Sequence, residues 1–282
     1  MNPVVVVSGA FDKGQRGGII TTHKLVKMLK EKGVDAYVYG SQGDTMPGVE
    51  EAPIPLLQSG KFTAIYPEGW DKNHLKAQQA FLWLLHKPKH KYEGMDGIFY
   101  FEPAYMDDPM GYLPKDLIRH AEQLKLVDIN LSIYSNDRNN RKGVCYVYHK
   151  NQQARLGEWV RDLEDEKDWF NIDSTWEWLN IDFANPYDDY LPAIFNSREA
   201  FYSFDPFTFY SVLAAACGCR SVVHPIPEVS KEEYIRMLPF AEWLCYGWDD
   251  IVEDQETKAR KALLNLSKLT EQQINNLIKC LK

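Results

Sequence analysis

Residues 201–225 read FYSFDPFTFYSVLAAACGCRSVVHP, and this stretch sets the fold class. FYSF is an aromatic run of strand type, and Asp205-Pro206 breaks it, because proline has no N–H for a sheet ladder and its fixed φ suits a first helical turn. Asp205 is a candidate N-cap, and the spacing predicts a helix from there through Ala216. Gly218 ends that helix, and RSVVHP reads as a buried β-branched strand closed by Pro225. Strand, turn, helix and strand in this order is a parallel βαβ unit, and a helix N-terminus beyond the carboxyl end of a strand is where α/β proteins hold a phosphate.

The same rhythm opens the chain. PVVVVS (3–8) reads as a strand, GAFDKGQRGGI as a glycine-rich loop, ITTHKLVKMLKEK (20–32) as a helix with Leu25, Val26 and Leu29 on one face, and DAYVYG as the next strand. FTAIYPE and GIFYFEP read as further strands. HLKAQQAFLWLLHK (74–87) and LIRHAEQL (117–124) read as helices, and DINLSIYS (128–135) as a strand. The polar run YSNDRNNRK (134–142) marks a domain boundary. Beyond it GVCYVYHK is strand-like, STWEWLN reads as a short helix, and LPAIFNSREAFYSF as helix, turn and strand. SKEEYIRMLPFAEW is a helix whose Ser230 and Glu233 form a capping box, and 248–282 holds one or two terminal helices. The expected fold class is therefore α/β: two Rossmann-like domains, 1–134 and 135–282, with a cleft between them.

Composition narrows the function. The chain has 282 residues and a net charge of −8, which argues against a nucleic-acid-binding surface. No segment approaches the roughly 18 continuous apolar residues of a membrane span. The N-terminal MNPVVVVSGAF lacks the basic flank and core length of a signal peptide and reads as a buried strand. The five cysteines have no zinc spacing, so they are expected to be reduced structural thiols in a cytoplasmic protein. Aromatic residues make up 13% of the chain, which fits a site stacking flat ligands or sugars and equally an aromatic core.

Three passages carry a resemblance. GQRGGIITTHKLVKMLKEKGVDAYVYG resembles the Gly-Gly loop and first helix of two-domain GT-B-type glycosyltransferases. YPEGWDKNHLKAQQAFLWLLHKP is similar to a passage of bacterial and viral glycan-assembly transferases. FYSFDPFTFYSVLAAACGCRSVVHP followed by YGWDDI is similar to their donor-side segment. The resemblance implies a sugar moved from a UDP- or GDP-linked donor, held by the second domain, to a glycan hydroxyl on the first. Many retaining members have a glutamate pair in the donor segment; here Asp205 and Leu213 stand in that region, so the lean is toward inversion. No cofactor and no essential metal are expected, because Asp107-Asp108, Asp188-Asp189 and Asp249-Asp250 are not Asp-x-Asp motifs.

On this reading Gly17 and Gly18 let the backbone approach the donor closely, and Arg138 and Lys142 stabilise the departing diphosphate. Ser203, Asp205, Pro206, Phe207 and Thr208 form the phosphate-facing turn, with the N–H groups of Phe207 and Thr208 on the anion and Asp205 in an orienting role. An inverting transfer needs a base for the acceptor hydroxyl, and the candidates in order are Glu68, Asp12, His23 and Glu102. A related-fold sugar-nucleotide epimerase and a non-catalytic glycan- or nucleotide-binding module remain as alternatives.

Overall fold

The structure, a computed structural model, describes residues 1–11, 17–127, 131–137, 140–147, 178–181 and 190–281. The chain divides into two compact units, Met1–Asp128 with Leu266–Lys282, and Ile129–Asn265.

The first unit holds β1 (Val4–Val7), α1 (Gly17–Glu31), β2 (Ala36–Tyr39), α2 (Ile54–Ser59), β3 (Thr63–Pro67), β4 (Gln79–Leu84), β5 (Gly97–Tyr100), α3 (Lys115–Ile118) and β6 (Glu122–Gln123). The strands form one sheet in the order β2-β1-β3-β4-β5-β6, and every pair is parallel. Parallel strands are covered on both faces, so all four valines of β1 are fully buried. Val4 and Val6 pack with Leu25, Val26 and Leu29 of α1, while Val5 and Val7 join Tyr66, Leu82 and Leu84 on the other face.

β4 corrects the helix expected over 74–87. Ala80, Leu82 and Leu84 enter one core cluster while Phe81 and Trp83 enter the other. The segment expected as a helix over 117–124 divides instead into the end of α3 and the edge strand β6. Of the strand expected at 128–135, residues 128–130 lie outside the described residues and 131–133 form a turn.

The second unit holds β7 (Val144–Val147), β8 (Trp178–Asn180), α4 (Leu191–Ser197), β9 (Ala200–Ser203), α5 (Tyr210–Ala216), β10 (Arg220–Val223), α6 (Lys231–Met237), β11 (Cys245–Tyr246) and the start of α7 (Gln255–Cys280). Its all-parallel sheet runs β11-β10-β9-β7-β8. All seven residues of α5 are buried, and its three alanines let it lie close on β9 and β10. Gly218 follows at φ 75°, where a Cβ would stand 2.5 Å from Asn136 Nδ2, so only glycine fits. α6 carries the capping box: Ser230 Oγ accepts from Glu233 N, and Glu233 Oε2 accepts from Ser230 N. The short helix expected at STWEWLN gives way to β8 over its last three residues.

α7 passes from the second unit into the first. Thr270 Oγ1 accepts from Val127 N at 3.0 Å and donates to Lys125 O, and Gln273 Oε1 accepts from Lys125 N at 2.7 Å. Ile274, Leu277 and Leu281 enter the first unit's core, each contributing about 1.5–3 kcal/mol. The tail that the sequence reading placed with residues 135–282 thus packs on the N-terminal sheet from Leu266 onward.

Candidate functional site

Ligands of open α/β sheets bind beyond the carboxyl ends of the strands, where the strand order reverses. In the first unit that point lies between β1 and β3. β1 runs out into Ser8 and Gly9, β3 into Glu68, β4 into the 85–91 loop and β5 into Glu102.

The Glu68 side chain is only 14% exposed, and its Oε1 lies 3.7 Å from Lys89 Nζ. Its Oε2 is the only buried carboxylate oxygen among the described residues without a hydrogen-bond partner. Leaving such an atom unpaired costs about 1–3 kcal/mol, and an acceptor kept open at this edge is able to take a hydrogen bond or a proton from a bound group. The loop is held by Tyr92, whose hydroxyl donates to Glu68 O at 2.8 Å and accepts from Lys89 N at 3.2 Å.

The other candidate bases are differently placed. His23 is fully buried. Met46 N donates to its Nδ1 at 3.2 Å, so Nε2 carries the proton and donates to Gly9 O at 3.1 Å. Burial lowers its pKa, and with both nitrogens engaged by backbone it clamps the β1 exit to the 41–46 loop rather than accepting a substrate proton. Glu102 is committed to an ion pair with the buried Lys125, whose ammonium also lies 5.6 Å from the Phe101 ring centroid. Asp12 lies outside the described residues. Gly17 and Gly18 open α1 with space beside them: a Cβ on Gly17 would meet nothing within 4 Å, and one on Gly18 only Leu85 Cδ1 at 3.8 Å.

In the second unit the order reverses between β7 and β9, and Phe204 N donates to Val147 O at 3.0 Å across that point. The turn after β9 satisfies itself. Ser203 Oγ donates to Asp205 O at 2.6 Å, Phe207 N donates to Asp205 Oδ1 at 3.0 Å, and Thr208 N donates to Asp205 O at 3.3 Å. Thr208 Oγ1 accepts from Tyr210 N, and Pro206 O accepts from the Tyr234 hydroxyl. This corrects the expected anion site: α5 starts at Tyr210 rather than after Asp205, and the amides of Phe207 and Thr208 are already used. Phe207 presents a 44% exposed ring instead.

Lys142 is corrected as well. It precedes β7, so in a parallel sheet it stands at the amino edge, away from the carboxyl ends of β9 and β10, and it is exposed. Its neighbour Arg141 is a structural brace: its guanidinium donates to the carbonyls of Phe195, Arg198 and Cys217 and to the side chains of Asn136 and Asn196. Arg138 lies outside the described residues.

His224, which follows β10, was not singled out in the sequence although RSVVHP places it at the carboxyl edge. Its Nδ1 is 2.8 Å from the Tyr202 hydroxyl, and burial lowers its pKa to about 4, so the imidazole is neutral at neutral pH. Phe204 and Tyr202 lie against it at 5.3 and 5.9 Å between ring centroids, and Trp248 lies 6.0 Å from Tyr202. Tyr246, at the end of β11, anchors the 226–229 turn: its hydroxyl accepts from Ile226 N at 2.8 Å and donates to Val229 O at 3.0 Å.

No protein-family model and no curated protein matches the sequence. Solved structures do. A UDP-forming alpha,alpha-trehalose-phosphate synthase from Burkholderia xenovorans is similar at 11% identity and a TM-score of 0.53, over 100% of this chain and 99% of that one. A glycosyltransferase of kitacinnamycin matches at 8% identity and a TM-score of 0.42 over 98% and 94% of the two chains. An alpha-glucosyltransferase bound to UDP and a DNA 13-mer matches at 9% and 0.44 over 96% and 92%. The two all-parallel α/β sheets of this chain thus resemble the fold of GT-B-type glycosyltransferases.

Proposed function

We propose that the protein is a glycosyltransferase that moves a sugar from a nucleotide-linked donor to an acceptor hydroxyl, with Glu68 as the base. The observation that carries this reading is the Glu68 carboxylate: it sits at the carboxyl edge of a parallel sheet with one buried oxygen unpaired. In an inverting transfer that oxygen takes the acceptor proton while the acceptor oxygen bonds to the anomeric carbon. The bond from that carbon to the nucleoside diphosphate breaks, and its electron pair leaves with the diphosphate. The donor lies on the second unit at the carboxyl ends of β9 and β10, beside His224 and the exposed Phe207 ring, and the acceptor lies on the first. The fold shared with a UDP-forming synthase supports UDP as the leaving group. Transfer proceeds without an essential metal.

The test is release of UDP or GDP from a panel of nucleotide sugars, with and without EDTA, by the wild-type protein and Glu68→Gln. Metal-independent release that falls in the variant supports the reading. Nucleotide binding without turnover in any condition points to a binding module. Interconversion of the sugar without an acceptor points to an epimerase.

A further inference from the structure

The run Lys87-Pro88-Lys89-His90-Lys91 begins at the last residue of the segment expected as a helix over 74–87. The structure places it in the loop leaving β4, at the carboxyl edge of the first sheet and beside Glu68. Four observations single it out. The loop is tied to the candidate base: Tyr92, 4% exposed, bonds Glu68 O and Lys89 N through one hydroxyl. Its cations are presented to solvent: the Lys87 and Lys89 side chains are 56% and 54% exposed, and His90 and Lys91 are exposed too. The ion pairs these lysines make, with Asp107 and Glu68, are both long at 3.7 Å, so they give way readily to a better anion. Finally, this density of positive charge stands in a chain whose net charge is −8.

We infer that this loop receives the acceptor, and that the acceptor is an anionic sugar bearing a phosphate or a carboxylate. The inference rests on the transferase reading for the word acceptor; the anion site rests on the loop alone. An anion held by Lys87 and Lys91 puts the sugar it belongs to beside Glu68, where a hydroxyl must lose its proton.

The experiment titrates glucose 6-phosphate, glucuronate and glucose into the full-length protein by saturation-transfer NMR, with UDP added in separate samples. The comparison protein is the double variant Lys87→Gln/Lys91→Gln, its folding checked by thermal melting. Binding of glucose 6-phosphate or glucuronate but not glucose, weakened about tenfold in the variant, is expected, and which of the two binds names the anion. Glucose binding as tightly as either, no anionic sugar binding, or an unaffected variant overturns the inference. UDP reads out the other question. If UDP binds and the anionic sugars do not, this inference falls while the transferase reading stands. If the anionic sugars bind at the loop and no nucleotide binds, the reverse holds.

Discussion

The carboxyl edges of the two sheets are built alike and finished differently. Both lie where a parallel strand order reverses. In the second unit the turn after β9 consumes its own donors: Asp205, Ser203 and Thr208 bond one another and the amides of Phe207 and Tyr210. In the first unit the turn after β3 leaves a carboxylate oxygen buried and unpaired beside a loop of exposed lysines. The edge with the richer sequence motif is therefore the more self-contained one. A motif of caps and turns marks a well-made turn; what singles out the first unit's edge is the unpaired Glu68 oxygen beside that loop.

The sharpest way to break this comparison is Glu68→Gln. If the unpaired oxygen is the base, transfer falls about 10²–10⁴-fold while stability changes little, because the ion pair that the variant loses, with the exposed Lys89, is long at 3.7 Å. Turnover and urea denaturation on the same preparation decide it, and equal turnover in the variant removes Glu68 from the mechanism. Arg141→Met is the counterpart in the second unit. It strips donors from the carbonyls of Phe195, Arg198 and Cys217 at once. A loss of about 3 kcal/mol or more in urea unfolding is expected. Nucleotide affinity in the protein that remains folded should be unchanged, since Arg141 stands at the amino edge.

Protonation probes both units together. His23 and His224 are buried neutral, so below the ordinary imidazole value of 6.5 the unfolded chain binds protons that the folded chain refuses. Stability therefore falls as pH drops below 6.5, each histidine adding a slope of up to about 1.4 kcal/mol per pH unit. The His224 part of that slope ends near its folded value of about 4. Urea midpoints between pH 7 and 5 should decline less steeply in His224→Gln and in His23→Gln than in the wild type. An unchanged decline in either variant means that its imidazole is charged in the folded protein.

How much of this was legible in the sequence depends on how each segment is buried. β1, β2 and β9, the capping box of α6 and the glycine stop after α5 all follow from local chemistry. QAFLWL does not, because both faces of β4 are covered: Ala80, Leu82 and Leu84 go one way and Phe81 and Trp83 the other, so no polar partner marks the period of two. The same ambiguity hid the basic loop, since a segment taken for a helix carries no carboxyl edge. The start of α5 was misjudged because Asp205 closes a turn onto Phe207 N and delays the helix to Tyr210. Glu68 was readable as a residue after a strand, but its unpaired oxygen was not, since it depends on the packing around it. Lys142 was misassigned for the opposite reason: a residue before a parallel strand stands at the wrong edge, and the sequence alone contained that fact.

The smallest expected effect bears on the glycines that open α1, and it separates two explanations for them. Gly17 and Gly18 sit in helical backbone, where glycine is less stable than alanine by roughly 0.5–1 kcal/mol. Packing does not require them, because a Cβ at Gly17 meets nothing within 4 Å and one at Gly18 meets only Leu85 Cδ1 at 3.8 Å. Gly17→Ala and Gly18→Ala should therefore each stabilise the protein by up to about 1 kcal/mol in urea unfolding. If the bare backbone is kept for close approach of the nucleotide, the same methyl groups weaken UDP binding, so stability and affinity move in opposite directions. If the space belongs to solvent, stability rises and UDP affinity does not change, and both glycines leave the donor site.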